Sequence, residues 1–168
     1  MNIVLKSVLL LLLTIFSYSA YSRPSILELE TEVTVASWLF PESPLYAGQK
    51  DNNYSIALES ELYAEWDKGD SFVFTPFILH LDIREALYSW YGDDWESSVG
   101  IGQVFWGVTE SKNLVDIINQ FDAVYDPLFK TKLGQPLTNL TLIRDSGYYE
   151  LFILPYFRER TSPGKKGR

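Results

Sequence analysis

Hydrophobic and polar side chains alternate most clearly in the segment YSIALESELYAEW, which runs from Tyr54 to Trp66. One side carries apolar residues, interrupted only by Ser60: Tyr54, Ile56, Leu58, Leu62, Ala64 and Trp66. The other side carries Glu59, Glu61 and Glu65 together with Ser55, Ala57 and Tyr63. A period of two is typical of a β-strand with one apolar and one water-facing surface. The segment therefore predicts a two-sided strand with a row of carboxylates on its wet side.

The same alternation recurs on both sides of this segment, and short turn sequences separate the repeats. DKGD at residues 67–70, GDD at 92–94 and DSG at 145–147 are such turns. The apolar phase slips at Pro76, which predicts a β-bulge or a sheet edge there. The predicted strands are Leu29–Leu39, Tyr54–Trp66, a strand within SFVFTPFILHL, Asp82–Tyr91, Trp95–Trp106, Leu137–Arg144 and Tyr148–Phe157. No internal repeat or linker divides them, so we predict one all-β domain over residues 23–157, an antiparallel up-and-down meander of about seven strands.

Strand length and the position of aromatic residues favour a membrane setting. Strands of soluble proteins most often have about five or six residues, whereas strands that cross a bilayer need roughly 9–11. Aromatic side chains mark strand ends, as Tyr54 and Trp66 do, and rings at both rims of an apolar band are a feature of outer-membrane barrels. In that setting Ile56 and Leu58 face lipid. A soluble β-sandwich or lipocalin-like barrel, with these rings in its core, has the same alternation and is the alternative.

The lengths of the connections agree with a barrel. If the strands alternate in direction, the three short turns fall at one end, and the long connections Pro41–Asn53 and Gly107–Pro136 fall at the other. Short turns inside and long loops outside are the rule for outer-membrane barrels. This assignment depends on a chain reversal near His80 to Asp82, since one continuous strand there would invert every later strand.

The long connection after Trp106 contains a candidate helix. Thr109 or Ser111 can cap it, and apolar residues from Leu114 to Phe121 recur at helical spacing. A helix this short needs a surface on which to bury its apolar side. We predict that the loop folds inward onto the barrel wall; a surface helix that closes one end of a soluble barrel is the alternative. The side chains expected to line the lumen are Glu59, Glu61, Glu65, Glu85, Arg144 and Glu150, and those expected near the constriction are Glu110, Lys112, Asp116 and Asp122.

The first 22 residues have the features of an export signal. Lys6 is the only charged residue before Arg23, an apolar run covers Val8 to Phe16, and the small residues Ala20 and Ser22 precede the expected cleavage site. This pattern predicts a signal peptide over residues 1–22, and together with the strands it predicts a location in the cell outer membrane. An uncleaved membrane anchor is the alternative, although a bilayer-spanning helix needs about 20 apolar residues.

Charge and composition exclude several function classes. The formal net charge is −8, although the last eleven residues, RERTSPGKKGR, are basic. An acidic body argues against nucleic acid as a partner and suits a cation-tolerant aqueous lining. Cysteine is absent, His80 is the single histidine, and no nucleophile-elbow motif accompanies it. We therefore expect no enzyme activity, catalytic residue, metal site or cofactor, and we expect outer-membrane lipid and small solutes as partners.

Two longer stretches resemble a known group of proteins. VGIGQVFWGVTESKNLVDIINQFD and KLGQPLTNLTLIRDSGYYELFILPYFRER resemble the amino-terminal part of poorly characterised Gram-negative outer-membrane proteins with porin-like barrels. The resemblance covers roughly Asp82 to Arg160 and is carried by FWGVTES, LVDIINQ, KLGQP and LPYFRER together. It implies an outer-membrane location and a transport role, and it implies no catalytic residue and no particular substrate.

The carboxyl end departs from that group. The chain ends in SPGKKGR rather than in a strand with a terminal aromatic residue, and seven strands is an odd number for a bacterial barrel of one chain. We therefore predict that residues 158–168 are a truncated loop and that the chain is a fragment; a small intact protein with a basic tail is the alternative. The predicted function is passive passage of small solutes through a porin-like barrel. The alternative function is that of a soluble periplasmic lipocalin-like barrel that binds an apolar ligand inside.

Overall fold

The computed structural model describes residues 23–41, 47, 49, 52–79, 81–105, 117–128 and 130–164. These residues form seven β-strands in one sheet. The strands are β1 (Ile26–Leu39), β2 (Asn52–Glu65), β3 (Ser71–Ile78), β4 (Asp82–Tyr91), β5 (Trp95–Gly102), β6 (Gln135–Arg144) and β7 (Gly147–Ile153). The predicted signal peptide over residues 1–22 lies outside the described residues.

The sheet is an antiparallel meander. Each strand pairs with the strand before and after it in the sequence, and the order is β1 to β7 without a crossover. The predicted all-β fold, the strand number and the up-and-down order are confirmed. Within the described residues the sheet is open, because β1 pairs there with β2 alone and β7 pairs with β6 alone.

The direction of the strands divides the connections as the sequence predicts. The turns at residues 66–70, 92–94 and 145–146 lie at one end of the sheet, which we call the short-turn end. β1 and β5 end, and β2 and β6 begin, at the other end of the sheet, which we call the long-loop end; the long loop is the connection between β5 and β6. The chain reverses between Ile78 and Asp82, so the later strands are not inverted.

Strand lengths are less uniform than the predicted ten residues. β1 and β2 each have 14 residues, whereas β3 and β5 have 8 and β7 has 7. β5 ends at Gly102 instead of Trp106, because the Asn119 side chain accepts a hydrogen bond from the backbone N–H of Val104 at 2.7 Å and donates one to the Gly102 carbonyl at 2.9 Å. These side-chain bonds replace the strand ladder at that point.

The end of β7 has a similar cause. The strand stops at Ile153, four residues before the predicted Phe157. Beyond it, the Gln135 side chain donates a hydrogen bond to the Tyr156 carbonyl and accepts one from the backbone N–H of Arg158 at 3.1 Å. The Tyr156 carbonyl and the Arg158 N–H are therefore paired with a side chain rather than with a neighbouring strand.

Pro76 marks a β-bulge, as predicted. Thr75 pairs with Glu85 and Pro76 pairs with Ile83, so Arg84 is the extra residue on β4. Proline has no backbone N–H to donate to the ladder, which makes this the natural place for an interruption. The bulge matters for the site below, because it turns the Arg84 side chain toward Phe77 and the long loop.

The predicted helix is not present in the part of its range that the structure describes. Residues 106–116 lie outside the described set, and residues 117–122 contain bends and an isolated bridge between Phe121 and Lys132. The Leu133 N–H donates to the Gln120 carbonyl, and the Asp122 N–H donates to the Thr131 carbonyl. Backbone groups that a helix would pair internally are thus paired with residues 131–133. Within the described ranges, no helix is long and apolar enough to cross a membrane.

Alternation along the strands separates two faces. On the first, which we call the acidic face, Glu59 pairs with Glu32 on one side and with Phe77 on the other, and Glu65 pairs with Ser71. On the second, the apolar face, Leu58 pairs with Val33 and with Ile78. A cluster of packed side chains on the apolar face extends from the short-turn end to Ile101 near the long-loop end: Ala64, Trp66, Phe72, Ala86, Tyr88 and Ile101.

Gly100 is the glycine whose replacement we expect to damage the sheet most. Its φ is +143°, and a Cβ there would overlap the backbone carbonyl oxygen of Ala86 on β4. Gly147 has a similar φ of +136°, but a Cβ there meets no atom within 4 Å. Backbone strain costs about 1–3 kcal/mol at either position, and the overlap acts at Gly100 alone. Gly100→Ala should therefore lower the free energy of unfolding by about 2 kcal/mol more than Gly147→Ala in urea titrations. Equal losses would contradict the close approach of β4 and β5.

Candidate functional site

The acidic face carries carboxylates directly opposite one another. Glu32 on β1 pairs with Glu59 on β2, and Glu30 pairs with Glu61. We call these four residues the glutamate rectangle. They line a cleft of about 240 Å³ together with Thr31. Like charges at directly opposite positions repel, so this face attracts cations.

Most of the predicted lumen-lining residues share this face. Glu59, Glu61 and Glu65 lie on it along β2, and Glu85 on β4 faces the same side, in register with Thr75. The Gln103 N–H donates to the Glu85 carboxylate at 3.3 Å. The sequence pattern thus predicted a set of acids that the sheet brings to one surface.

The other two predicted lumen residues lie further along the sheet. Glu150 on β7 pairs with Thr141 on β6, and the alternation along these strands places both residues on the acidic face. Arg144 follows the alternation of Leu142 on the opposite face, and it forms an exposed ion pair with Asp94 in the β4–β5 turn. Arg144 is therefore not brought together with the glutamates.

Residues 122–125 of the long loop lie on the acidic face near the long-loop end. The Arg84 guanidinium donates to the Asp122 carboxylate at 2.6 Å, and the Arg84 and Asp122 side chains are 2% and 0% exposed. The same guanidinium lies 4.0 Å from the centre of the Phe77 ring. Tyr125 packs edge-on against that ring, with 5.0 Å between ring centres. Because Phe77 is in register with Glu59, these contacts place residues 122–125 over the acidic face.

Asp122 is the centre of a buried polar network. Its Oδ1 accepts hydrogen bonds from the backbone N–H of Val124 at 3.3 Å and of Tyr125 at 3.2 Å, and from the Thr161 hydroxyl at 2.6 Å. Its Oδ2 accepts the Arg84 bond, so both oxygens are used. A buried charge is stable only with this degree of pairing, and the network therefore fixes the loop on the sheet.

A second ion pair joins the segment after β7 to the same network. Arg158 donates to Asp82 at 2.5 Å and to the Gly134 carbonyl at 3.0 Å. Asp82 also lies 3.5 Å from Arg84. Arg158 and Thr161, which belong to the segment predicted to be a truncated loop or a basic tail, contact β4 and the long loop. The sequence analysis did not identify Asp82, Arg84 and Arg158 as members of a buried ion-pair network. The sequence signal for it was the pair Asp82 and Arg84, two positions apart in the strand opposite Pro76.

The constriction residues predicted from the sequence divide into two groups. Glu110, Lys112 and Asp116 lie outside the described residues. Asp122 is described, and its carboxylate is fully buried against Arg84 rather than open to a passage. Asp122 therefore anchors the loop, which is a different role from the predicted lining.

Asp126 organises the tip of the described loop. Its carboxylate accepts hydrogen bonds from the backbone N–H groups of Leu128 at 2.9 Å, Lys130 at 2.8 Å and Thr131 at 3.0 Å. Burial alone would raise the pKa of Asp126, but these N–H groups and the Thr131 hydroxyl favour the charged form more strongly and lower the pKa below its usual value.

The lowered pKa of Asp126 predicts acid sensitivity of the loop. A carboxyl group whose pKa is lower in the folded state stabilises that state above its unfolded pKa, and the contribution is lost as the pH falls through the folded pKa. Wild type should therefore be more stable than Asp126→Asn near neutral pH, and the difference should shrink on acidification. Urea titrations across pH test this. A difference that grows as the pH falls would contradict the assigned hydrogen bonds.

The apolar face is open over much of the sheet. Val35 is 74% exposed and Ile56 is 68% exposed, and on β7 Leu151 and Ile153 are each 57% exposed. Toward the short-turn end, rings pack on one another: the ring centres of Trp66 and Tyr88 are 5.9 Å apart, and those of Tyr88 and Trp90 are 4.7 Å apart. This face thus combines an exposed aliphatic area with an aromatic border.

A wider cleft opens on the apolar side near the long-loop end. Its volume is about 660 Å³. Its lining is mainly apolar, and Asp82 and Arg158 contribute its charged groups. The apolar residues that line it include Phe74, Pro76, Leu81, Ile83, Ile101 and Pro136.

Metal coordination and similarity to known proteins give no further assignment. Among the described side chains, no three histidine or acidic groups converge closely enough to hold a metal ion. No family model, curated protein or solved structure matches the chain. The resemblance to porin-like outer-membrane proteins therefore stays a prediction from the sequence.

Proposed function

We propose that this chain forms part of a porin-like β-barrel of the outer membrane, in which the acidic face lines a water-filled passage for small solutes and the apolar face contacts lipid. The observation that carries the proposal is the separation of the two faces along β1 and β2. Glu59 and Glu61 occupy one face of β2, while Ile56 and Leu58 occupy the other.

The exposed apolar area supports a lipid contact. Soluble monomers rarely expose apolar patches larger than a few hundred Å². Val33, Val35 and Ile56 lie side by side on one face and are each more than 60% exposed. The 14 residues of β2 correspond to about 45 Å of extended chain, which spans roughly 30 Å at the tilt of barrel strands. That height matches the hydrocarbon thickness of a bilayer, and the Trp66–Tyr88–Trp90 rings supply an aromatic border at one rim.

Closure of the barrel requires more strands than the seven described. The unpaired backbone groups of β1 and β7 would each cost several kcal/mol in lipid, so open edges do not occur there. We propose that both edges pair with further strands to complete the barrel. In this arrangement the loop around Asp122 lies over the acidic face and narrows the passage.

Membrane fractionation and ion currents test the proposal together. The exported protein should begin at Arg23, be recovered with outer membranes, and conduct cations better than anions after reconstitution. Glu61→Lys should shift the reversal potential toward anions, whereas Asp93→Lys, at an exposed carboxylate in the turn between β4 and β5, should shift it less. Recovery in the soluble periplasmic fraction without detergent would contradict the proposal.

The apolar cleft supports a second candidate function. A soluble periplasmic protein of this fold could bind an apolar ligand between Phe74, Ile83 and Ile101, whose side chains line the cleft of about 660 Å³. This function requires that the apolar face point inward. Saturable binding of a fluorescent fatty acid by a protein that is soluble without detergent would favour it over the barrel.

A further inference from the structure

We infer that residues 154–161, which we call the strap, hold residues 122–125 over the acidic face, and that release of the strap lets these loop residues move away. Arg158 and Thr161 are the positioning residues of this device. In the proposed barrel, release of the strap would uncover the passage, and that consequence alone rests on the proposed function.

The strap crosses the long-loop end of the sheet. It leaves β7 after Ile153 and first contacts Gln135, which is the first residue of β6. The Gln135 side chain bonds to the Tyr156 carbonyl and to the Arg158 N–H. The Arg158 guanidinium then reaches Asp82, the first residue of β4, at 2.5 Å. The strap thus passes from β7 to the strand that carries the bulge.

The far end of the strap contacts the loop directly. The Thr161 hydroxyl donates to the buried Asp122 carboxylate at 2.6 Å and accepts a hydrogen bond from the Val124 N–H at 3.4 Å. Thr161 and Asp122 also form an isolated parallel bridge. Hydrogen bonds to a charged group are stronger than those between neutral groups. The position of the loop therefore depends on the strap.

Two prolines explain why these residues leave the sheet. Alternation predicts that β7 continues to Phe157, and the register of Thr138 with Ile153 would then place Pro155 opposite Pro136. Neither proline has a backbone N–H, so this pair cannot form a ladder hydrogen bond. The ladder ends before that position, and the chain crosses toward β4 instead.

The strap can be released without opening the core. Its large apolar side chains, Leu154, Tyr156 and Phe157, are exposed, so the strap is held mainly by polar contacts. Segments with few buried apolar contacts open locally at a smaller free-energy cost than the whole domain. Release of the strap is therefore expected while the seven strands stay folded.

Release would weaken the anchor of the loop in two ways. Asp122 would lose the Thr161 bond and keep Arg84 as its remaining side-chain partner in the network described above. Asp82 would lose Arg158, and its carboxylate already lies 3.5 Å from the Arg84 guanidinium. An uncompensated buried carboxylate is unfavourable, so Asp82 would then compete with Asp122 for Arg84.

Thiol labelling tests the inference on the folded full chain in detergent micelles. Ala123 is buried in the loop and Ala64 is buried in the core cluster, so a cysteine at either position reacts only when its surroundings open. Arg158→Gln and Thr161→Val should each raise the labelling rate of Ala123→Cys by about tenfold, since each removes a bond to a charged group. Both should leave the rate of Ala64→Cys unchanged within about twofold. Arg160→Gln, the same change at an exposed arginine of the strap, should leave both rates unchanged within about twofold.

Each other outcome would overturn the inference. Equal rises at residues 123 and 64 would mean that the strap stabilises the whole sheet rather than the loop. An unchanged rate at residue 123 in Arg158→Gln or Thr161→Val, or an equal rise in Arg160→Gln, would mean that the strap does not position the loop. Circular dichroism confirms that each variant is folded. Because labelling needs no ion current, strap-dependent labelling in a chain that does not conduct would contradict the pore and support the strap.

Discussion

Asp122→Asn should lower the free energy of unfolding by about 3 kcal/mol, whereas Asp94→Asn should lower it by less than about 1 kcal/mol. Asparagine keeps the size of the side chain and removes its charge. At residue 122 this leaves the buried Arg84 guanidinium with the more distant Asp82 carboxylate, 3.5 Å away, which Arg158 already uses. Breaking a buried pair costs about 3–5 kcal/mol, and the Asp82 contact places this case at the lower end.

The control is matched in chemistry and differs in burial. Asp94 also pairs with an arginine, but its side chain is 60% exposed and that of Arg144 is 46% exposed. Water and salt screen such a pair. Urea titrations in detergent, followed by tryptophan fluorescence, measure both variants. Limited proteolysis should also cut the loop around residue 122 faster in Asp122→Asn. Similar losses for the two variants would show that Asp122 does not anchor the loop.

Leu58→Arg should impair folding into lipid bilayers by about 2–4 kcal/mol, because Leu58 lies near the middle of β2 on the apolar face. Glu61→Arg, on the same strand, should be tolerated within about 1 kcal/mol. Arginine there faces Glu30 and replaces a like-charge pair with an opposite-charge pair. It should instead shift ion preference away from cations.

Folding titrations into lipid vesicles and reversal potentials measure the two effects separately. A harmless Leu58→Arg together with a Glu61→Arg that cannot fold would mean that the two faces are assigned the wrong way round. The acidic face would then pack against protein, and the soluble ligand-binding function would become the better proposal.

The sheet could be predicted from the sequence because its determinants are local. Period-two alternation identified the strands, turn residues such as Asp145 and Gly147 identified their ends, and Pro76 identified the bulge. Each signal depends on side chains within a few residues of one another. The shared face of Glu59, Glu61 and Glu85 followed from the same alternation once the strands were paired in order.

The contacts of the long loop could not be predicted in the same way. Arg84 and Asp122 are 38 positions apart, and their pairing depends on where the loop crosses the sheet. The helical spacing before Phe121 predicted a helix that the described residues do not form. Asn119, expected on the water-facing side of that helix, instead donates hydrogen bonds to the carbonyls of Gly102 and Leu133. Spacing reports which face is apolar, whereas the partners of a polar side chain depend on tertiary structure.

The most direct test of the two-faced sheet uses single cysteines, because the chain contains none of its own. Ile56→Cys and Glu61→Cys lie on opposite faces of β2. Each is labelled with an environment-sensitive fluorophore and folded into vesicles that carry either lipid-attached or water-soluble quenchers. We expect the label at residue 56 to be quenched from the lipid and the label at residue 61 to be quenched from the water. Quenching of both labels from the water, or the reverse assignment, would contradict an outer-membrane barrel.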